Sequence, residues 1–462
     1  MATKVNQILP RSYLLGIVVV VGALVIAAIF WGGVTVPIAL LLLGGVFAAA
    51  LRWPLFAWAA YLIAINVNGL IVVAGGVSIK PEIVGLLLLL LALRKNSPSS
   101  RLSQPARVGG GAVVVALLLL LSLFLASVLR APESDKSLWI WIQFSMSVVA
   151  FLMIAHQRAI DPRFIRIGNV VVGAICLVSL TGFVGALVGV VPPGTMGVGP
   201  DMRLIGFSIE TNIFAAQVVS WLAVVWCVRV RPSRWERALL IVMVLAVLLA
   251  GTRSAWLAGA VLLAAMLGSH FRRSMWSLLI SSVLLVLAAT TPAVIGVIAA
   301  GSPPDSLAWR LNNLMSFDTG TGAYRVNIYD TAWAEIVTWP RWLVGSGMNS
   351  YSQFHPIDAT NQYAEYLGNV WLALLYDGGV IAALLFVVLL IITIRSAALP
   401  GRSAVTIAAV LLCSTATNII WFQFAWVAIG LSIHGRALDR DPMKATDKKA
   451  ILASTPALGY RT

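Results

Sequence analysis

Charge is what this chain of 462 residues has least of: only 11% of it is Asp, Glu, Lys or Arg, against 60% that is hydrophobic. That ratio excludes a water-soluble globule, because one core cannot hide so much apolar surface, and marks an integral membrane protein. Cysteine is nearly missing. Cys176, Cys227 and Cys413 all fall inside apolar runs and none stands in CxxC spacing, so neither a disulfide framework nor a zinc site is implied. Histidine is as scarce, with four residues, three of which (His156, His270 and His434) fall at the cytoplasmic ends of apolar runs. A cleavage site is also lacking. The first apolar run, about 13 to 31, has no small-residue signal before the next run and is read as a retained helix.

What the chain does have is positive charge, +15 net, and that charge is unevenly placed. Breaking the sequence at its apolar runs and counting Lys and Arg in alternate gaps gives 24 on one side and 8 on the other. Short loops rich in Lys and Arg stay cytoplasmic, so the N- and C-termini are expected inside and the sparse gaps outside. The net charge therefore reports topology and contact with anionic membrane lipids, and no nucleic-acid partner is inferred.

On the ruler of roughly 20 apolar residues per bilayer crossing, about 12 to 14 spans are expected, among them 13–31, 34–51, 54–74 and 275–300. The fold class that follows is all-α: a polytopic transmembrane bundle with a large, partly helical outward loop. Residues 1–200 form N-terminal transmembrane helices, and 201–300 form central ones containing Arg253. The extracytoplasmic loop is 301–367, C-terminal helices occupy 368–434, and a basic cytoplasmic tail runs over 435–462. The Leu-rich stretch 85–93 reads as lipid-facing. A loop as long as 301–367 is unlikely to lack structure. Within it TGAYRVNIYDTAWAEIVTWP predicts an amphipathic helix with Val326, Tyr329, Trp333, Ile336 and Val337 on one face, ended by Pro340.

Each outward arginine needs its own reason. Arg253 stands between two apolar runs in LLAGTRSAWLAGAV, where a guanidinium is costly unless paired or wet, which makes it a functional candidate. Arg325 opens the loop helix, a poor place for a cation beside the helix dipole unless an anion binds there. Arg203 lies in a Gly/Pro-rich loop next to Asp201, where a surface ion pair is the plain alternative. Three arginines converging at one membrane surface suit a pyrophosphate, since the guanidinium fork matches phosphate oxygens and keeps its charge. No metal-ligand spacing accompanies them. His355 is the outward imidazole and so the candidate general base, with Glu210, Asp330, Asp358 and Glu365 as acidic alternatives. Asp377, inside an apolar helix, is expected to pair with a polar or cationic neighbour. Trp339, Trp342, Tyr351 and Tyr363 are available for sugar stacking, but an interfacial aromatic belt is the better account of them.

The order of these motifs resembles the O-antigen ligase and polymerase superfamily over about residues 200 to 390. RLIGFSIETNIFA, with Gly206 and Asn212, is similar to the segment leading into one family helix, and AGTRSAW, with Arg253, to the family's Ser-Arg or Thr-Arg element. The large-loop motif is resembled by Arg325, Pro340, Gly345 and Gly347. The helix after the loop is resembled by Asn369, Leu372, Asp377 and Gly379, with Gly368 where ligases commonly place a histidine that activates the acceptor. The resemblance implies a glycosyltransferase of the bacterial cytoplasmic membrane. Its donor would be a glycan on polyprenyl pyrophosphate and its acceptor the hydroxyl of a glycan or lipid-glycan. It implies Arg253, Arg325 and His355 as catalytic residues and Arg203, Glu210, Asn212, Asn369 and Asp377 as substrate-binding ones. The reaction would need no cofactor or metal, take place at the outer face and, as a direct displacement, invert the anomeric carbon. A lipid-linked oligosaccharide flippase or other polytopic transporter is the alternative, and it predicts cations along a cavity reaching both membrane faces.

Overall fold

The computed structural model describes residues 49, 52–68, 72–74, 77–96, 110–157, 161–199, 203–228, 230, 232–271, 320–338, 340–356 and 366–434. The spans expected at 13–31 and 275–300, nearly all of 34–51, the basic tail, Asp201, Trp339, Asp358, Tyr363 and Glu365 lie outside the described residues.

Helices dominate. They are α1 (Pro54–Asn66), α2 (Pro81–Asn96), α3 (Gly110–Val128), α4 (Ser134–Ala155), α5 (Pro162–Leu187), α6 (Thr211–Val228), α7 (Arg234–Ala250) and α8 (Arg253–Phe271). After these come α9 (Gly320–Ile336), two short turns α10 (Arg341–Val344) and α11 (Tyr351–Phe354), then α12 (Val370–Ser396), α13 (Pro400–Cys413) and α14 (Gln423–Ser432). Local chemistry sets many of the boundaries. Proline, whose missing N–H costs nothing in a first turn, opens α1, α2, α5 and α13. Ser233 and Glu236 form a reciprocal capping box on α7, which ends at Gly251 in the left-handed conformation (φ 65°).

Among the described residues, five helices, α3, α4, α5, α6 and α12, are long and apolar enough to cross a membrane, and five shorter apolar helices accompany them. The protein is a polytopic membrane bundle. Its centre is α6, which buries 15 of its 18 residues against α5, α7, α8, α13 and α14. A set of edge-on aromatic contacts joins α3, α4, α12 and α14, running from Phe124 and Phe144 through Trp421 and Trp426 to Phe386, with ring centroids 5.3 to 6.4 Å apart.

Two expectations change. The run 54–74 is not one span: α1 stops at Asn66, whose Nδ2 donates to Leu62 O at 2.7 Å, and an antiparallel pair follows, β1 (Val72–Ala74) with β2 (Val77–Ile79). β-Branched residues on either side of Gly75 and Gly76 favour a hairpin over a continued helix. The stretch 85–93 is not simply lipid-facing either. Leu86 and Leu89 are fully buried while Leu87 and Leu91 are exposed. At Gly85 a Cβ would lie 3.2 Å from the Tyr61 backbone, so glycine lets α2 seat closely on α1.

Candidate functional site

Helix α9 organises the site, and the face it presents to the bundle overlaps the expected one only at Tyr329 and Ile336. Ile328, Ala332 and Ile336, spaced four apart, are buried against Leu367, Ala373 and Tyr376 at the start of α12. Val326, Trp333 and Val337 face outward, and Trp333 is 54% exposed. The physical reason lies in size: Ala332 permits close packing that Trp333 would block. The helix begins at Gly320 and ends at Ile336, so Arg325 stands in its second turn rather than opening it, and Pro340 falls four residues beyond its end.

Two separate polar clusters lie along α9. In the first, Arg325 and Tyr329 meet the connection between α13 and α14, where the Tyr329 hydroxyl donates to Thr415 O at 3.4 Å. Next to it, Thr417 Oγ1 donates to Glu210 Oε1 at 3.3 Å and the Tyr366 hydroxyl donates to the same oxygen at 2.7 Å. Arg325 acts electrostatically on Tyr329, on Tyr366 and on Arg253, the first residue of α8. Two guanidiniums from distant parts of the chain thus lie in each other's field. Burial, reinforced by Glu210, holds the Tyr366 hydroxyl well above the usual phenol range, and burial raises that of Tyr329 against the pull of Arg325. Both phenols stay protonated donors at neutral pH.

The remaining expected residues are placed as follows. Asn369 caps α12, its Oδ1 accepting from the N–H of Trp371 and Leu372 at 2.9 and 3.3 Å. A Cβ at the preceding Gly368 would sit 3.1 Å from Ala416 O and 3.7 Å from the Tyr329 hydroxyl, so this position faces the arginine cluster. Glu210 is fixed by the first turn of α6, its carbonyl accepting from Phe214 N, and Asn212 is half-buried in that turn. Arg203 lies half-buried in the loop before α6, beside a one-residue bridge between Val198 and Leu204. Gly206, in the left-handed conformation (φ 59°), closes that loop onto Phe214, where a Cβ would meet the ring at 2.4 Å.

His355 belongs to the second cluster. Glu335 gathers His355 Nε2 at 2.7 Å, the Tyr376 hydroxyl at 2.5 Å and Arg341 Nη1 at 3.4 Å, and the Tyr351 ring lies over His355 at 4.5 Å between centroids. Ten residues of helix separate Glu335 from Arg325, about 15 Å along the axis. The structure therefore links Arg325 electrostatically to Arg253 and to Tyr366, the donor to Glu210, and leaves His355 in a different cluster.

Asp377 is buried, and its expected polar partners are backbone amides: its carboxyl accepts from the N–H of Asn349 and Ser350. The same junction is closed from the other side, with Ser346 N donating to Tyr376 O at 2.7 Å and Gly347 N to Asp377 O at 3.2 Å. Two glycines allow the close fit. Gly345 (φ 75°) and Gly379 (φ 69°, interrupting α12) sit where a Cβ would lie 2.4 Å from the Asp377 backbone and 2.2 Å from Leu343 O. The loop's far side is tied to the start of α4, where Gln353 Nε2 donates to Ser137 Oγ at 2.9 Å and Ser137 Oγ to Met348 O at 2.7 Å.

Glu335, Tyr366, Arg341, Tyr376 and Thr417 escaped the sequence reading. Glu335 was open to detection, because an acid that follows the Ile328–Ala332 stripe at helical spacing and precedes Ile336 must point partly inward and needs a donor.

Fold and site together define a polytopic membrane protein with a doubly cationic, carboxylate-containing site capped by an amphipathic loop helix. Residues 238–387 match the family model described as O-Antigen ligase, which supports the resemblance to the O-antigen ligase/polymerase superfamily. The match takes in Arg253, Arg325, Glu335, His355, Asn369 and Asp377, and begins after Arg203, Glu210 and Asn212. No curated protein matches the chain.

Proposed function

We propose that the protein transfers a glycan from a polyprenyl-pyrophosphate donor to an acceptor hydroxyl on a glycan or lipid-glycan, at the outer face of the bacterial cytoplasmic membrane. The observation that carries the reading is that Arg325 acts electrostatically on Arg253 from a distant part of the chain. Two guanidiniums in one another's field repel, and a multiply charged anion bound by both turns that repulsion into attraction. Helices α6, α8 and α12 all begin at this cluster, so their N-terminal amides add positive potential of the same sense.

The chemistry follows from that field. As the acceptor oxygen attacks the anomeric carbon, the bond to the pyrophosphate oxygen breaks and its electron pair leaves with the pyrophosphate. Charge grows between Arg253 and Arg325, which therefore bind the transition state more tightly than the ground state. A single displacement inverts the anomeric centre and draws its leaving-group stabilisation from guanidiniums rather than from a metal. Arg203 and Asn212, on either side of Glu210 in the chain, and Asn369, beside Gly368, bind the sugars. Asp377 acts on the site from a distance by holding the loop. The excess of Lys and Arg in alternate gaps supports cytoplasmic termini and an outward site.

The test is to replace Arg253 and Arg325 separately with Ala, confirm equal membrane abundance, and measure transfer of lipid-linked glycan in proteoliposomes. Each variant is expected to lose about a hundredfold or more in rate. Near-normal transfer by both would sink the leaving-group role, and translocation without bond cleavage by the unaltered protein would favour the flippase alternative.

A further inference from the structure

We infer that Glu210 is the catalytic residue that takes the proton from the attacking hydroxyl, an inference that rests on the glycosyl transfer proposed above. Glycosyl transfer to an alcohol needs a proton acceptor within reach of the anomeric carbon. Among the described titratable groups of the arginine cluster, Glu210 is the carboxylate. Tyr329 and Tyr366 are kept protonated, and Arg253 and Arg325 carry no acceptor. His355 is spent on Glu335 about 15 Å along α9, and Asp377 is spent on the amides of Asn349 and Ser350.

The hydrogen bonding of Glu210 is asymmetric in a way that suits this task. Oε1 accepts from Tyr366 and, at longer range, from Thr417, whose proton is shared with Ala416 O, and this orients the carboxylate plane, while Oε2 takes no hydrogen bond from the described residues. The backbone is equally constrained, since Glu210 begins α6 and its loop is closed by the left-handed turn at Gly206. Tyr366 lies in the fields of both Glu210 and Arg325, so the proton acceptor and the leaving-group cation share one site. The residue also stands outside the stretch that matches the family model, in the part of the chain that the match leaves unassigned.

The step balances without another reactant. The acceptor O–H bond breaks and its proton goes to Glu210 Oε2. The oxygen's electron pair forms the new bond to the anomeric carbon, and the pair of the broken C–O bond leaves with the pyrophosphate. Glu210 returns its proton to water as the products depart.

Glu210→Gln separates proton transfer from scaffolding, because the amide oxygen still accepts from Tyr366 and Thr417 but no longer takes up a proton. The full-length protein, reconstituted with polyprenyl-pyrophosphate-linked oligosaccharide from its native membrane, is followed for single-turnover transfer and for binding of that donor. E210Q is expected to slow transfer by about 10²- to 10⁴-fold, leave donor binding within about twofold, and remove the acidic limb of the rate–pH profile. E210D, with a shorter carboxylate, is expected to keep that limb at reduced rate. Transfer by E210Q within about fivefold of the unaltered protein would overturn the inference, as would a loss matched by an equal loss of donor binding. Failure of the underlying reading looks different: the unaltered protein would bind the donor and transfer nothing.

Discussion

The two polar clusters on α9 use similar side chains for opposite ends. Around Glu335, one carboxylate faces an arginine, a histidine and a tyrosine, all within hydrogen-bonding or ion-pair distance. Around Arg325, a second arginine lies in the same field, and the nearby carboxylate of Glu210 is engaged by a tyrosine and a threonine instead. The first cluster is balanced as built and joins α9 to α12 and to the loop. The second carries guanidiniums whose mutual repulsion a further anion would relieve. The difference separates a clamp from a binding site more reliably than residue type does, since an imidazole, the side chain most often chosen for base chemistry, sits in the clamp.

Substitutions confined to one cluster or the other are the sharpest way to break that contrast. The largest effects are expected for Arg253→Ala and Arg325→Ala, each lowering glycan transfer by about a hundredfold or more with thermal stability nearly unchanged, read by vesicle assay and melting of the purified protein. Second is the loop junction. Gly379→Ala forces a Cβ onto Leu343 O and an L-residue into a left-handed conformation, and a destabilisation of at least about 1 to 3 kcal/mol is expected, seen as a lower melting temperature and faster proteolysis of the loop. Glu335→Gln comes next. It keeps an acceptor for Tyr376 but removes the charge that pairs with Arg341 and His355, and a loss of about 1 to 2 kcal/mol is expected with transfer preserved below the melting transition. The smallest is Tyr366→Phe, which removes one of two donors to Glu210. It should cost about tenfold or less in turnover, because Thr417 still orients the carboxylate.

Much of the architecture is legible in the sequence because membrane insertion constrains it so strongly. Apolar length is a local signal that leads directly to the bundle, and an arginine stranded between apolar runs is a local signal that singles out Arg253 as a candidate. What escapes is non-local. Glu335 acquires its role from Arg341, His355 and Tyr376, which arrive from three later segments, so no window of sequence contains the cluster. Asp377 reads as a buried acid seeking a polar or cationic partner, but which one is not legible, because its partners are main-chain amides and those carry no sequence signature. Hydrophobicity alone does not mark the packed face of α9: Tyr329 and Ile336 pack, but Trp333 and Val337 face outward while Ala332 makes the contact. The hairpin after α1 hid in a run of apolar residues whose two glycines were the available sign of a turn.

Transfer rate and melting temperature, measured on R325A and E335Q in the same vesicle preparation, test the division between site and clamp most directly. R325A is expected to melt like the unaltered protein and to transfer glycan about a hundredfold more slowly, and E335Q to melt earlier and to transfer normally below its transition. The reverse pattern, in which E335Q abolishes transfer without destabilising the fold and R325A transfers normally, would contradict it.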